Sequence, residues 1–216
     1  MEDKVYRYHY RAALKEGADG RLDEKIREIE KNIAALMEEG RVMTACLYRY
    51  KDMLFAYYES IGEELAPQQV YGPMGELLEL WPGEDGSRDW VYMYHVYYHA
   101  IPEGVKDWKR KAEPAMRRGR IAYLKPDKIF QYVYHHVAIT TEGYLHGDKY
   151  QSIALHENIL FSYFEEPRTE INVKRDLTKQ STAIEAWSAV DPESHFMRKE
   201  GQQGNFFFIP ALIAMG

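Results

Sequence analysis

The sequence predicts an α+β fold: two tandem ferredoxin-like repeats whose open sheet faces close on one another as a barrel, a pseudo-dimer within a single chain. Three observations lead there. First, the chain repeats itself: "DMLFAYYES" at 52–60 returns as "NILFSYFEE" at 158–166, and one offset of 106 places Leu54, Phe55, Tyr57 and Glu59 on Leu160, Phe161, Tyr163 and Glu165. The same offset, without a gap, pairs Trp81 with Trp187. Second, runs of period two alternate with runs of helical period in the strand-helix-strand order of the split β-α-β motif. Third, "WVYMYHVYYHA" at 90–100 is rich in aromatic residues on both faces. Val91, Met93, His95, Tyr97 and His99 share one side, and Trp90, Tyr92, Tyr94, Val96 and Tyr98 the other. A strand with helices on one face and a lined interior on the other needs that composition.

The elements follow in order. Residues 6–14 alternate as a first strand, with Arg7, His9 and Arg11 on one face and Tyr6, Tyr8 and Tyr10 on the other. Ile26, Ile29, Ile33 and Leu36 recur at steps of three and four between charged residues, and Gly40 stops that helix. Strands 42–50 and 53–60 form a hairpin turning at Lys51 and Asp52. A short helix follows at 73–81, then the aromatic strand. The stretch 103–127 is basic and broken by Pro114 and Pro126, and reads as a partly helical linker. In the second half "YVYHHVAIT" at 132–140 matches "YRYHYRAAL" at 6–14 as a strand, which sets His135 on His9. Only "TEGYLHG" then precedes the hairpin of 150–156 and 159–166, so this repeat is expected to lack its first helix. A helix at 180–189 and a strand at 205–213 complete it. The expected organisation is residues 1–102, a linker at 103–127, and residues 128–216.

Composition narrows the class. The 216 residues are 45% apolar with a formal charge of −6, which excludes a disordered chain and argues against nucleic acid as a partner. No apolar run is long enough for a membrane span. Cys46 is the only cysteine, so no intrachain disulfide is available, and the opening "MEDKVYRYHY" has no apolar signal core. A cytoplasmic location is the expectation.

The string "TACLYRYKDMLFAYYES", preceded by an amphipathic helix and followed by a short helix with a tryptophan and then a strand, resembles the L-rhamnose mutarotase family of dimeric α+β barrels. The resemblance covers about 100 residues of the first half and a reduced version of the second. It implies a sugar mutarotase in which the duplication supplies both halves of the barrel. It also implies that Trp81 is a stacking wall for a sugar ring. The family's catalytic tyrosine and histidine at the start of the first helix have no match in Leu22 to Ile29, so function must be argued from the site.

His9, His95 and His135 are the candidate proton-transfer residues, because imidazole titrates near neutrality. Arg7, Tyr57, Trp81, His99, Tyr163 and Trp187 are the candidate substrate-binding residues. The buried cost of an unpaired guanidinium keeps Arg7 and Arg11 off the helix-covered face. His136 lies on the same expected strand as His135. Glu59 and Glu165, ending hairpin strands, are expected to be solvated. His146, His156 and His195 fall near turns and are given no role, and Cys46 is not read as a nucleophile. No HxH or HxxxE pairing marks a metal site, and no cofactor is expected. The functional expectation is a small-molecule enzyme, a sugar mutarotase or isomerase using histidine acid/base chemistry on a small polar molecule. The alternatives are a non-catalytic binding barrel and a cofactor-free or haem-type oxidoreductase of the kind found among related barrels. Association into a homodimer is also expected.

Overall fold

The computed structural model describes residues 3–84, 86–167, 174–175 and 177–216. Its elements are β1 (Val5–Ala13), α1 (Asp19–Glu38), β2 (Val42–Tyr50), β3 (Met53–Ile61), α2 (Pro67–Tyr71), β4 (Trp81–Gly83), β5 (Gly86–Arg88), β6 (Val91–Tyr92) and β7 (Tyr94–Tyr98). After these come α3 (Val105–Trp108), β8 (Met116–Leu124), α4 (Ile129–Glu142), β9 (Leu145–His146), β10 (Ser152–His156), β11 (Ile159–Glu166), β12 (Lys174–Arg175), α5 (Thr182–Ala189), β13 (Phe196–Met197), β14 (Phe207–Ile209) and β15 (Ala211–Met215).

Two compact units result. One holds residues up to Met93 with Pro102–Glu113 and Pro210–Gly216, and the other holds Tyr94–Ile101 and Pro114–Ile209. The first has a sheet in the order β15-β2-β3-β1-β6, and the second a sheet in the order β7-β10-β11-β8, with β13 and β14 both paired to β8. All the pairings are antiparallel. Set side by side, β1, β2, β3 and β6 correspond to β8, β10, β11 and β14, so each unit repeats one ferredoxin-like order. The α+β class and the tandem repeat stand as expected, and the two hairpins fall where the turn residues placed them. Lys51 and Glu157 take positive φ at the two turns.

Four elements differ from expectation. The strand assigned to 132–140 is the helix α4. The second repeat therefore keeps its first helix, and His135 is a helical residue. The strand that pairs with β11 as β1 pairs with β3 is β8, inside the stretch read as a linker. Trp81 lies in the short strand β4, while Trp187 lies on α5, so the two tryptophans are not structural counterparts. Finally, the aromatic strand is two strands: β6 pairs with β1 and, one residue later, β7 pairs with β10 in the other unit. A bulge in that second pairing puts His95 beside Ala154 and Tyr97 beside Ile153, on opposite faces, where strict period two had put them together.

The helix-bearing faces carry the cores. On the first sheet Tyr8, Tyr10, Ala12, Leu54, Ala56 and Tyr58 pack with Leu22, Ile29, Ile33 and Leu36 of α1. Ile29 and Ile33 have no exposed surface, each contributing about 2 kcal/mol by burial. On the second, Ala122, Leu124, Ile153 and Leu160 pack with Tyr132 and Ile139 of α4. Because Tyr8 and Tyr10 face α1, alternation turns Arg7, His9 and Arg11 to the opposite face.

Candidate functional site

The site is built on the face of the first sheet opposite α1. Cross-strand register places Arg7 beside Glu59, His9 beside Tyr57 and Arg11 beside Phe55. Across β3, Thr44, Cys46 and Tyr48 of β2 continue the same rows. His9, Tyr57 and Glu59 are fully buried. The His9 and Tyr57 rings meet edge to face with centroids 5.0 Å apart.

Glu59 is not the solvated strand end expected for it. The Tyr57 hydroxyl donates to Glu59 Oε1 at 2.5 Å, the Trp108 indole Nε1 donates to the same oxygen at 2.8 Å, and Arg110 Nη2 reaches it at 2.9 Å. Arg110 Nη1 engages the other oxygen, completing a two-pronged ion pair. Burial by itself raises the Glu59 carboxyl, but Arg110, with the bonds from Tyr57 and Trp108, holds it below the usual carboxylate range. Burial and then the Glu59 charge push the Tyr57 hydroxyl far above its ordinary value, so it is a neutral donor here. Glu59 is an ionised, occupied carboxylate and a poor proton donor.

His9 lies on β1 between two arginines, each stacked on an indole. The Arg7 guanidinium sits 5.5 Å from the Trp108 ring centre, and that of Arg11 sits 5.2 Å from Trp81. Arg11 Nη2 also approaches Met53 Sδ at 3.3 Å. Guanidinium over indole is favourable in its own right and fixes the planes of both groups. Four expected site residues, Arg7, His9, Tyr57 and Trp81, thus belong to one unit and one face. Trp108 and Arg110 complete the arrangement. Sequence reasoning missed them because they lie in the stretch read as a linker; the signal available was Trp108 with Arg110 two residues on, in a chain that has four tryptophans.

The other expected residues belong to the second unit. Tyr163 donates to Glu165 at 2.7 Å and Arg117 pairs across to Glu165, repeating the tyrosine-glutamate-arginine set of the first sheet. Where His9 stands beside Tyr57, Gly119 stands beside Tyr163. His95 is half-buried on β7, with its ring 6.5 Å from that of Tyr98. The imidazole of His99 lies against Gly147, so close that a β-carbon there would fall 2.4 Å from Nε2.

His135 and Trp187 do meet, but on the helical side of the second sheet. His135, His136 and His195 surround Trp187 with ring centres 5.5, 4.8 and 4.8 Å away. His136 Nδ1 bonds the Tyr132 carbonyl at 2.9 Å, and His195 Nε2 bonds the Gln131 side chain at 3.0 Å. Burial lowers His136 to about 4 and lowers His135, with His195 adding to both. His135 and His136 are neutral packing groups. The pairing of His135 with His9 as catalytic partners rested on the strand assignment and goes with it. Among the described residues no group of three or more His, Cys, Asp and Glu is placed to hold a metal ion. No helix among them is long and apolar enough to cross a membrane.

The chain is thus a two-repeat α+β protein with an arginine- and indole-lined histidine on one sheet face. No family model and no curated protein matches it. Solved structures align along nearly the whole chain. A candidate monooxygenase from Lactobacillus acidophilus NCFM is 7% identical, with 98% of this chain and 96% of that one covered and a TM-score of 0.44. A candidate monooxygenase from Fusobacterium nucleatum subsp. nucleatum is 10% identical, with 100% and 95% covered and a TM-score of 0.40. A variant chlorite dismutase from Candidatus Nitrospira defluvii is 14% identical, with 98% and 94% covered and a TM-score of 0.36. At these values the likeness carries no activity across to this chain.

Proposed function

We propose that the protein is a small-molecule oxidoreductase of the cofactor-free α+β barrel kind, that its site is the face of the first sheet opposite α1, and that His9 is the proton-transferring group. The supporting observation is His9 set between the Arg7-Trp108 and Arg11-Trp81 stacks. Two guanidinium groups and two indoles suit a flat organic acid, or a molecule that becomes an anion when it loses a proton. A buried imidazole removes such a proton, and the arginines stabilise the negative charge left behind. An electron-rich anion of that type reacts with dioxygen without a metal or flavin.

A neutral sugar is served less well. Mutarotation needs two groups, one at the anomeric hydroxyl and one at the ring oxygen, and Glu59, two residues along the facing strand from the partner of His9, is already committed to Arg110. Thermal-shift screening with phenolic, enolic and keto acids against neutral sugars tests the choice. Oxygen uptake then tests the chemistry. Acids should bind, and His9→Gln should retain binding while lowering turnover by about 10²-fold or more. Protection by sugars alone would return the assignment to a mutarotase. Binding of acids with no oxygen uptake by the wild type would leave a binding protein.

A further inference from the structure

The face that holds His9 carries a charge pattern that the repeat itself does not require. Across β1, β3 and β2 it forms the rows Arg7-Glu59-Thr44, His9-Tyr57-Cys46 and Arg11-Phe55-Tyr48. Both oxygens of Glu59 accept from Arg110, so the first row has two guanidinium groups to one carboxylate and keeps a positive charge. The last row has one guanidinium and no acid. Burial holds its Tyr48 hydroxyl well above the ordinary value, and that residue is uncharged. The middle row, with the imidazole, has neither an arginine nor an acid. The second sheet shows that the frame stands without this pattern: there Arg117 faces Glu165, but Gly119 faces Tyr163 and Ile121 faces Phe161. Glycine and isoleucine thus occupy the positions of His9 and Arg11. Arg11 is buried, and burying a guanidinium is costly.

The geometry says what such a pattern recognises. Arg7 and Arg11 stand four residues apart on one strand, with about 13 Å between their α-carbons. Separate indoles hold them, Trp108 against Arg7 and Trp81 against Arg11, and Trp108 is itself tied to Glu59 through Nε1. Each guanidinium therefore keeps to its own end, and the two do not close on one carboxylate. We infer that the substrate is a dianion: an elongated molecule with an anionic group at each end, one for Arg7 and one for Arg11, and between them the carbon whose hydrogen His9 removes. This rests on the reading of His9 as the proton-transferring group. A keto diacid has the chemistry required. Its carbonyl acidifies the neighbouring C–H bond, His9 takes the proton, and the electron pair of that bond moves onto the ketone oxygen as an enolate. The charge at each end holds the reacting carbon over the imidazole, which is the positioning that a single carboxylate would not supply.

Isothermal titration calorimetry on the full chain tests this with three probes of one chemistry: 3-oxoglutarate with two carboxylates, acetoacetate with one and acetylacetone with none. 3-Oxoglutarate should bind about 30-fold more tightly than acetoacetate, the worth of one further charge-assisted contact. Arg7→Met and Arg11→Met should each bring the two acids to within about 3-fold of one another, while Arg7→Lys and Arg11→Lys, which keep the charge, should retain a diacid preference of about 10-fold. Circular dichroism checks that each variant is folded. Should a methionine variant fail to fold, the wild type still decides: between about 20 and 200 mM salt its affinity for 3-oxoglutarate should fall roughly twice as steeply, on a logarithmic scale, as its affinity for acetoacetate. Equal affinity for the two acids, equal salt slopes, or a diacid preference that survives the loss of either arginine's charge would overturn the dianion and leave a singly charged acid in the proposed site. A wild type that binds none of the three probes would remove the proposed site together with it.

Discussion

The two units share one frame and differ in what fills it. Each sheet sets an arginine beside a glutamate and a tyrosine two residues before that glutamate: Arg7, Glu59 and Tyr57 in one, Arg117, Glu165 and Tyr163 in the other. In the first, the segment after β7 returns to bring Trp108 and Arg110 onto the glutamate, and His9 occupies the neighbouring row. In the second that row holds Gly119. The helices diverge in the opposite sense, since α1 is charged outside and α4 is not. The backbone frame and the acidic anchor are common to both copies, while the imidazole and the arginine-indole stacks belong to one and the nearly uncharged helix to the other. The residues of the proposed site thus belong to one copy of the frame only.

The largest expected effect that could break this comparison is at Glu59. Replacing it by Ala strands Arg110 in a site where only 9% of its side chain is exposed, and truncating one partner of a buried ion pair costs about 3–5 kcal/mol. Urea unfolding measures it, and a cycle with Arg110→Met should recover a large coupling term. Loss of under 1 kcal/mol would mean that the Trp108-Arg110 segment does not anchor the first unit.

A pH effect comes next, and it should be confined to the second unit. His136 titrates near 4 when folded against an ordinary value near 6.5, so below about pH 6.5 the unfolded chain takes up the proton first. Its contribution is complete above that point and is lost progressively as the pH falls to about 4, amounting to about 3 kcal/mol at most. His135 moves in the same direction. Hydrogen exchange at pH 7 and pH 4.5 should show protection falling in α4 and α5 while β1 to β3 hold theirs, and His136→Phe should flatten the dependence. Equal loss in both units would place the sensitivity elsewhere.

The smallest effect tests what the repeats still share. Gly40 and Gly143, which follow α1 and α4, both adopt φ of 71°. Ala at either costs about 1 kcal/mol, because a β-carbon is disfavoured in the left-handed region. Matched shifts in melting temperature would support a common helix stop; a clear difference would count against it.

How much of this was legible in the residues depended on whether a local pattern had competition. The hairpins were readable because alternation and turn residues agreed. So was the placing of Arg7, His9 and Arg11 on the face away from the helix, since guanidinium groups do not pack under a helix. The helix α4 was hidden because tyrosine, valine and isoleucine favour strands and no charged face announced a helical period. Its punctuation was present, however, in Pro126 before it and Gly143 after it. Arginines concealed β8: "MRRGRIAYL" alternates, but its Arg117, Arg118 and Arg120 made it resemble a linker. The division of the strand at 91–98 between two sheets has no local signature, because it is set by pairing with β1 and β10, both far away in sequence. Trp108 and Arg110 were out of reach for the same reason, their partner Glu59 lying 49 and 51 positions earlier.

That divided strand has a counterpart at the other end of the chain, and together they set a timetable for synthesis. The edge of the first sheet beside β2 is occupied by β15, residues 211–215, although every other strand of that sheet has been made by residue 92. At 5–20 residues per second a ribosome needs roughly 6 to 24 s to cover that distance. Throughout it β2 offers a row of unpaired peptide groups to any extended segment nearby, including another nascent chain. Each unit finishes with a strand encoded with the other, so the gene cannot be cut between the repeats without leaving both products short of an edge. What began as two exchangeable copies has become a single item of manufacture.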